Sequence, residues 1–334
     1  MYSFTFTQFM DVVLNVDNPD DFTNTLYTML AIFAACYKIL NLWVNHESFA
    51  ELIQNLTEGT FKPLVPVEVE IRRKFDKMIQ NIAMCYVILI MLTCASHFVV
   101  SLLTSFKKRQ LILRGWIPYN YSSFMLFCLT YTHQYVGVIS ASLVNVACDS
   151  LIVGLLLHLC CQITILQYRF KGFITGQNTL DHCIRQHRHI INFAYATNER
   201  FTRIIAFQFV ASTFVVCSNL YQLSRTKLIV DFIILFAYTI CVLVQIFIYC
   251  WFGNKLKLMS LQLVDSIFEI EWIALDHKTK KSLLIIMIRA MKPIEFHSAH
   301  IFNMNLDSFA ALLKTSYSAY NLLIQIQEQQ YKGK

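Results

Sequence analysis

The amino-acid sequence predicts an all-α, polytopic membrane helix bundle. Three observations carry that expectation. Of the 334 residues, 56% are hydrophobic and only 15% are charged, against roughly 25% charged in a soluble domain. The mean hydropathy is +0.48. The apolar residues also fall in long runs with few charges, each near the ~20 residues that carry a helix across a bilayer.

The runs can be taken in order. Residues 1–15 are apolar and aromatic but broken by Asp11, and too short for a span. They read as the tail end of a first helix whose beginning is missing. Lacking a basic stretch and a small-residue cleavage site, they do not read as a signal peptide. The first clear span is 22–44, interrupted by Lys38 near its end. A polar segment, 45–77, carries both charge signs. The second span, 80–104, lies in a stretch from Met78 to Phe106 without Asp, Glu, Lys or Arg. The loop 105–122 holds Lys107, Lys108, Arg109 and Arg114.

From Gly115 to Tyr168 the sole charge is Asp149. The stretch 145–150 around it contains no Gly or Pro, so turn chemistry favours one helix, 123–168, over a hairpin. At about 1.5 Å per residue that helix overshoots a ~30 Å apolar core. Its second half is expected to continue into a packed bundle outside the membrane. A polar segment, 169–203, follows. Next come spans at 204–223 and 228–254, the latter with Asp231 near its start. A mixed stretch, 255–302, leads to an amphipathic span, 307–326, with Asp307 as its N-cap.

The net charge of +7 does not mark a nucleic-acid surface, because Lys and Arg sit in short clusters between apolar runs, the pattern of membrane topology signals. Segments 45–77, 169–203 and 252–302 hold eighteen of them, and the opposite connections hold eight. Those three segments are therefore expected on the cytoplasmic side and the C-terminus outside, the reverse of a G-protein-coupled receptor. Splitting 115–168 into two helices gives 17 against 9 with different loops inside, so charge does not choose between one helix and two.

Most of the eleven cysteines lie in apolar runs, where they behave as small hydrophobes. His182, His187 and His189 have metal-like spacing, but their segment is polar, and a solvated or subunit-contact surface is expected there. No cofactor is implied. The sequence carries no paired intramembrane carboxylates, HExxH motif or phosphate loop, which argues against an enzyme. Asn120-Tyr-Ser122 is an N-glycosylation sequon on the outer side. Asn55-Leu-Thr57 is another, set aside as cytoplasmic.

The stretch Tyr249-Cys250-Trp251-Phe252-Gly253-Asn254 resembles the Cys-x-Phe-Gly-Asn signature that closes the sixth helix of insect odorant receptors. It is followed by Ser260, Trp272, Lys280, Lys281, Arg289-Ala-Met-Lys-Pro293, and a last helix containing Lys314-Thr-Ser316-Tyr317-Ser318-Ala-Tyr320. Each is similar to a family motif in the same order. Upstream, Trp116-Ile-Pro118, Asp149 and Leu180-x-x-Cys183-x-x-x-His187 also match. The resemblance runs from about residue 22 to 326. The chain departs from the family in its short N-terminal segment and in Ala319-Tyr320, where Tyr-Phe is common.

The resemblance implies a seven-helix architecture with the N-terminus inside and the C-terminus outside. It implies a subunit of a heterotetrameric, non-selective cation channel, formed with a shared co-receptor in the plasma membrane of sensory neurons and opened by small volatile ligands. The last helix would line the pore. Leu322 and Ile326 share one face of it and are the gate candidates, since apolar constrictions can gate by dewetting. Ser316, Tyr317 and Ser318 are candidates for interhelical hydrogen bonds, and Lys314 must face water or snorkel.

The ligand pocket is expected in the outer half of the bundle, with aromatic and aliphatic walls and few polar groups. Its candidates are Tyr27, Leu30 and Phe33; Cys94, His97, Phe98 and Ser101; Tyr131, Tyr135 and Ile139; and Phe232, Leu235 and Tyr238. Each set has spacing that can share a helix face. The nearest rival is a gustatory-type chemoreceptor channel, and a non-functional truncated receptor is the other alternative. A transporter would show inverted repeats and Gly- or Pro-broken helices, which 8 Gly and 5 Pro hardly supply.

Overall fold

The computed structural model describes residues 1–14, 19–56, 59–173, 180–226, 228–298 and 302–332. Thr57 of one sequon, Lys227 and Lys334 of the charge tally, and the side chains of Ile326 and Lys332 lie outside the described residues. The described chain is almost wholly helical. A short α1 (Tyr2–Leu14) precedes α2 (Pro19–Val44) and α3 (His46–Asn55), and a 3-10 turn at Gly59–Phe61 leads into α4 (Pro66–Ser101). Then come α5 (Phe124–Phe173), α6 (Leu180–Arg225), α7 (Ile229–Phe268) and α8 (His277–Ala290). A two-stranded antiparallel ribbon, β1 (His297–Ser298) with β2 (Phe302–Asn303), introduces α9 (Leu306–Lys332).

Local chemistry explains the element ends. Pro66 sits at the first turn of α4, where its missing N–H costs nothing. At its other end α4 passes into a π-helical turn, Leu102–Phe106, and Arg109 then takes a left-handed backbone (φ 54°) that turns the chain into the 107–123 loop. Asp276 caps α8 by accepting from the Lys278 N–H at 3.2 Å. A hydrogen bond from the Thr279 side chain holds its carboxyl below the usual range. The cap of α9 differs from the expectation. Asn305 accepts from the Ser308 N–H (2.9 Å), and Asp307 lies one turn position inside the helix, where its charge faces the positive end of the dipole.

Five helices are long and apolar enough to cross a membrane among the described residues: those within 25–44, 66–106, 124–172, 180–225 and 229–268. The last helix, α9, is not among them. Lys314, Thr315, Ser316, Ser318, Asn321 and Gln325 make it too polar. The fifth helix runs unbroken through Asp149 for 50 residues. No helix break accompanies the membrane boundary expected at 203/204. Residues 180–225 form one helix, and its polar first half buries Cys183, Gln186, His187, Ile190 and Phe193. That segment reads as polar because one face is; the other face is core.

In the packed bundle α2 lies on α6, α5 on α7, α4 on α5, and α9 on α6. The bundle has two unlike ends, named here by their connections. At the hairpin end, near β1 and β2, Leu156, Leu166, Phe170, Phe201, Leu256 and Leu283 are among the residues of a single continuous core. Gly253 is required there: a Cβ would run into the Met304 carbonyl and side chain just before α9. At the loop end, α1 is tied to the 107–123 loop by the Trp116 N–H donating to the Thr7 carbonyl (2.9 Å). Phe4 packs on Gly137, and Gln134 clasps both backbone groups of Leu113 (3.0 and 3.3 Å).

The histidine group is not a solvated surface. His187 is buried, His189 stacks on Phe61 at 4.2 Å and bonds Thr60 Oγ1 at 2.8 Å, and His182 Nδ1 lies 3.5 Å from the Arg169 guanidinium. The 3-10 turn covers His189, His182 lies beside Arg169, and His187 packs against α7 and α8 near Leu263 and Arg289.

Candidate ligand cavity

A cavity of about 750 Å³ opens within the loop end of the bundle. Each wall is one helix face. On α4 the lining residues Tyr86, Ile90, Cys94, His97 and Ser101 recur every three or four positions, as do Gln208, Ala211, Ser212 and Val215 on α6. Asp231, Leu235, Tyr238, Val242 and Gln245 do the same on α7. Tyr27 and Leu30 of α2 and Tyr135 and Asn145 of α5 complete the ring. Across it the Tyr27 and Tyr238 rings meet at 5.6 Å, joining α2 to α7.

The structure places eight of the expected pocket residues on this lining: Tyr27, Leu30, Cys94, His97, Ser101, Tyr135, Leu235 and Tyr238. The other five are elsewhere. Phe33 packs on Phe207 (5.6 Å) at the outer α2–α6 seam. Phe98 stacks on Tyr135 (4.0 Å) and Tyr131 donates to Ser101 Oγ (2.9 Å), so both stand behind lining residues. Ile139 is partly buried on α5 and Phe232 stacks on Phe236 on the outward face of α7.

The wall contributed by α6 went unrecognised. The signal that could have found it is the spacing of Gln208, Ser212, Asn219 and Gln222, which puts these polar residues of 204–223 on one helix face. The cavity is also more polar than expected, because Asn145, Gln208, Ser212 and Gln245 line it. A buried ionic hub explains why they sit there. Asp149 is 3% exposed, and its Oδ1 accepts from Lys38 Nζ and the Tyr249 hydroxyl, both at 2.6 Å. Its Oδ2 accepts from the Tyr86 hydroxyl (3.1 Å) and Gln245 Nε2 (2.5 Å). Four donors fill the four lone-pair sites of a carboxylate. They come from α2, α4 and α7 and converge on α5, beneath the cavity. Sequence reading notes Asp149, Lys38 and Tyr249 separately but not that they meet, since the partners of Asp149 are 63 to 111 positions away.

Among the described residues, no group of three or more His, Cys, Asp or Glu is placed to hold a metal. All eleven cysteines are free thiols.

A family model described as 7tm Odorant receptor matches residues 18–317. The chain belongs to that odorant receptor family. Odorant receptor 10 of Aedes albopictus is 29% identical over 143 residues, 43% of this chain and 38% of its own length. Odorant receptor Or2 of Anopheles gambiae is 27% identical over 44% of this chain and 39% of its own. The chain thus spans under half the length of these curated relatives. Putative odorant receptor 92a of Drosophila melanogaster aligns more widely, at 22% identity over 87% of this chain and 76% of its own. In fold, this odorant receptor family member is similar to the insect olfactory receptor OR5 of Machilis hrabei, solved in complex with eugenol. The TM-score is 0.86 at 15% identity, covering 97% of this chain and 86% of that one.

The remaining expected sites of this odorant receptor family member lie apart from the cavity. Leu322 is 57% exposed on α9. Ser316 Oγ of the same helix donates to the Thr213 carbonyl of α6 at 3.3 Å. Asn120 is exposed in the 107–123 loop, and its Oδ1 accepts from the Ser122 N–H (3.0 Å) and hydroxyl.

Proposed function

We propose that the chain is an odorant-gated cation-channel subunit that works beside a co-receptor in the plasma membrane of sensory neurons. One observation carries this reading. A cavity of about 750 Å³, large enough for a small organic molecule, is enclosed by five helices at the end of the bundle away from the three basic segments. By the charge rule that end faces outward, where volatile ligands arrive. Tyr27, Leu30, Cys94, His97, Ser101, Tyr135, Leu235 and Tyr238 touch the ligand, with Ala211 and Val215 of α6 opposite. Phe98 and Tyr131 support the wall from behind.

The last helix lines the pore, with Leu322 and Ile326 as the gate. Two features support that role: its polar composition and the exposure of Leu322, while Phe309, Leu312 and Ser316 anchor the helix to the bundle. Lys314, two residues before Ser316, is exposed and faces water. A heterotetramer with the co-receptor supplies the other walls. The sequon at Asn120 lies on the outer side and carries glycan.

The test is whole-cell current during an odorant panel, with and without the co-receptor. The expected outcome is an odorant-evoked cation current seen only when both subunits are present. Silence on a broad panel despite surface expression defeats the channel reading.

A further inference from the structure

The polar groups under the cavity commit their donors to buried partners, and that orientation has a chemical consequence. Asp149 is salt-bridged to Lys38 and can only accept hydrogen bonds. Gln245 must therefore turn its amide nitrogen toward Asp149 (2.5 Å), which leaves its oxygen facing away. That oxygen accepts from Gln208 Nε2 at 2.9 Å, and the same nitrogen donates to Ser212 Oγ at 2.9 Å. Both N–H groups of Gln208 are then used, and its Oε1 is buried with no partner among the described residues. Asn145 repeats the pattern from α5. Its nitrogen donates to the Ala31 carbonyl (3.4 Å), and its buried Oδ1 has no partner among the described residues. Tyr86 spends its O–H on Asp149 as well, which leaves only lone pairs.

The donors of Gln245, Tyr86, Gln208 and Asn145 are thus spent on buried partners, and unpaired acceptors remain on Gln208 and Asn145, both of which line the cavity. We propose that the cavity selects ligands carrying a hydrogen-bond donor, an O–H or N–H on a small apolar skeleton, with Gln208 and Asn145 as the specificity-determining residues. Gln245 is a positioning residue: it acts by fixing which way Gln208 faces. The inference rests on the reading of the cavity as the odorant site. Ethers, esters and hydrocarbons of the same shape leave the Gln208 and Asn145 acceptors unpaired and are expected to bind more weakly. A site built to hydrogen-bond a hydroxyl discriminates against the analogue that lacks it far more strongly than a purely apolar pocket discriminates by size.

The test uses matched pairs that differ only in the donor: octanol against its methyl ether, and cresol against methylanisole. Binding is measured as ligand-induced thermal stabilisation of the full chain in lipid nanodiscs, and currents are recorded in parallel in cells that also express the co-receptor. The donor member is expected to bind about tenfold more tightly, equivalent to about 1.4 kcal/mol. In Gln208→Leu the ratio should fall toward one, mainly by loss of alcohol affinity, with ether affinity retained. Gln245→Leu frees the Gln208 amide to turn over, so the ratio should fall there too, an effect that mere loosening of the bundle would not produce. If Gln208→Leu does not fold, Asn145→Leu and the wild-type pairs still decide the matter. Equal affinity for both members of each pair, or no binding of either, overturns the proposal. A clear donor preference in binding without any current upholds the selectivity and defeats the channel reading.

Discussion

Helix α5 carries two buried charges twenty residues apart, Asp149 and Arg169, about 30 Å along its axis, and the bundle handles them in opposite ways. Arg169 at the hairpin end is 0% exposed and meets Glu68 bidentately, with both bonds at 2.7 Å. Its remaining N–H groups go to Gln186 Oε1 (2.8 Å) and to the carbonyls of Thr60 (3.2 Å) and Lys62 (3.0 Å). All five guanidinium donors are used, and every partner is part of the packed core or the turn that covers it. Asp149 is satisfied just as fully, but two of its partners, Tyr86 and Gln245, are also cavity lining. One hub closes an end of the bundle; the other forms the floor of an open space. The same physics, a charge that must be neutralised and hydrogen-bonded once buried, therefore yields a clamp in one place and an oriented polar surface in the other.

The clamp should be the more costly to break. Glu68→Ala leaves an uncompensated guanidinium in the core and is expected to cost about 3–5 kcal/mol, read as thermal unfolding of the purified chain in detergent. The paired change Arg169→Met with Glu68→Leu should recover most of that loss, because no buried charge is left behind. A small loss in Glu68→Ala would mean that water reaches this end and that it is not sealed. Lys38→Met is expected to cost less, about 2–3 kcal/mol, since Asp149 keeps three donors and sits near the cavity. Unlike the Glu68 change it should also alter ligand potency, which a dose–response series would detect.

Gly253→Ala probes the hairpin end without touching a charge. Its new methyl group collides with the Met304 backbone, so α7 and the lead-in to α9 must separate. An overpacking cost of about 1–3 kcal/mol is expected, visible as a lowered Tm with no donor-dependent change in ligand selectivity. The smallest effect belongs to Phe33→Ala. Phe33 is 44% exposed and outside the cavity, so a shift within about 0.5 kcal/mol and an unchanged dose–response curve are expected.

Sequence reading reached the helices because a bilayer-spanning run must hide its backbone in one long, nearly uncharged helix, and such runs are visible without any tertiary knowledge. It reached part of the cavity for a related reason. Residues such as His97, Ser101, Leu235 and Tyr238 share helix faces near the loop end, and that depends only on helical spacing. What escaped were relations between helices. Nothing local in Gln208 or Val215 says which neighbour α6 turns toward, and Lys38 looks like an interruption of a span until Asp149 is seen against it. Glu68 and His187 lie in segments that read as polar, yet each is buried by a partner distant in sequence. Asp307 is the acidic residue at the expected start of α9, yet Asn305 caps it because the helix begins two residues earlier than a cap at Asp307 requires.

The decisive comparison is a pair of substitutions on α7. Leu235→Trp fills the cavity from a lining position, while Phe232→Trp places the same indole three residues away on the outward face. Both variants are expressed with the co-receptor, matched for surface level, and tested against one activating odorant. The expected result is at least a tenfold loss of potency in Leu235→Trp and a wild-type curve in Phe232→Trp. A wild-type curve in both, or an equal loss in both, would mean that the cavity between α2, α4, α5, α6 and α7 is not where the odorant binds.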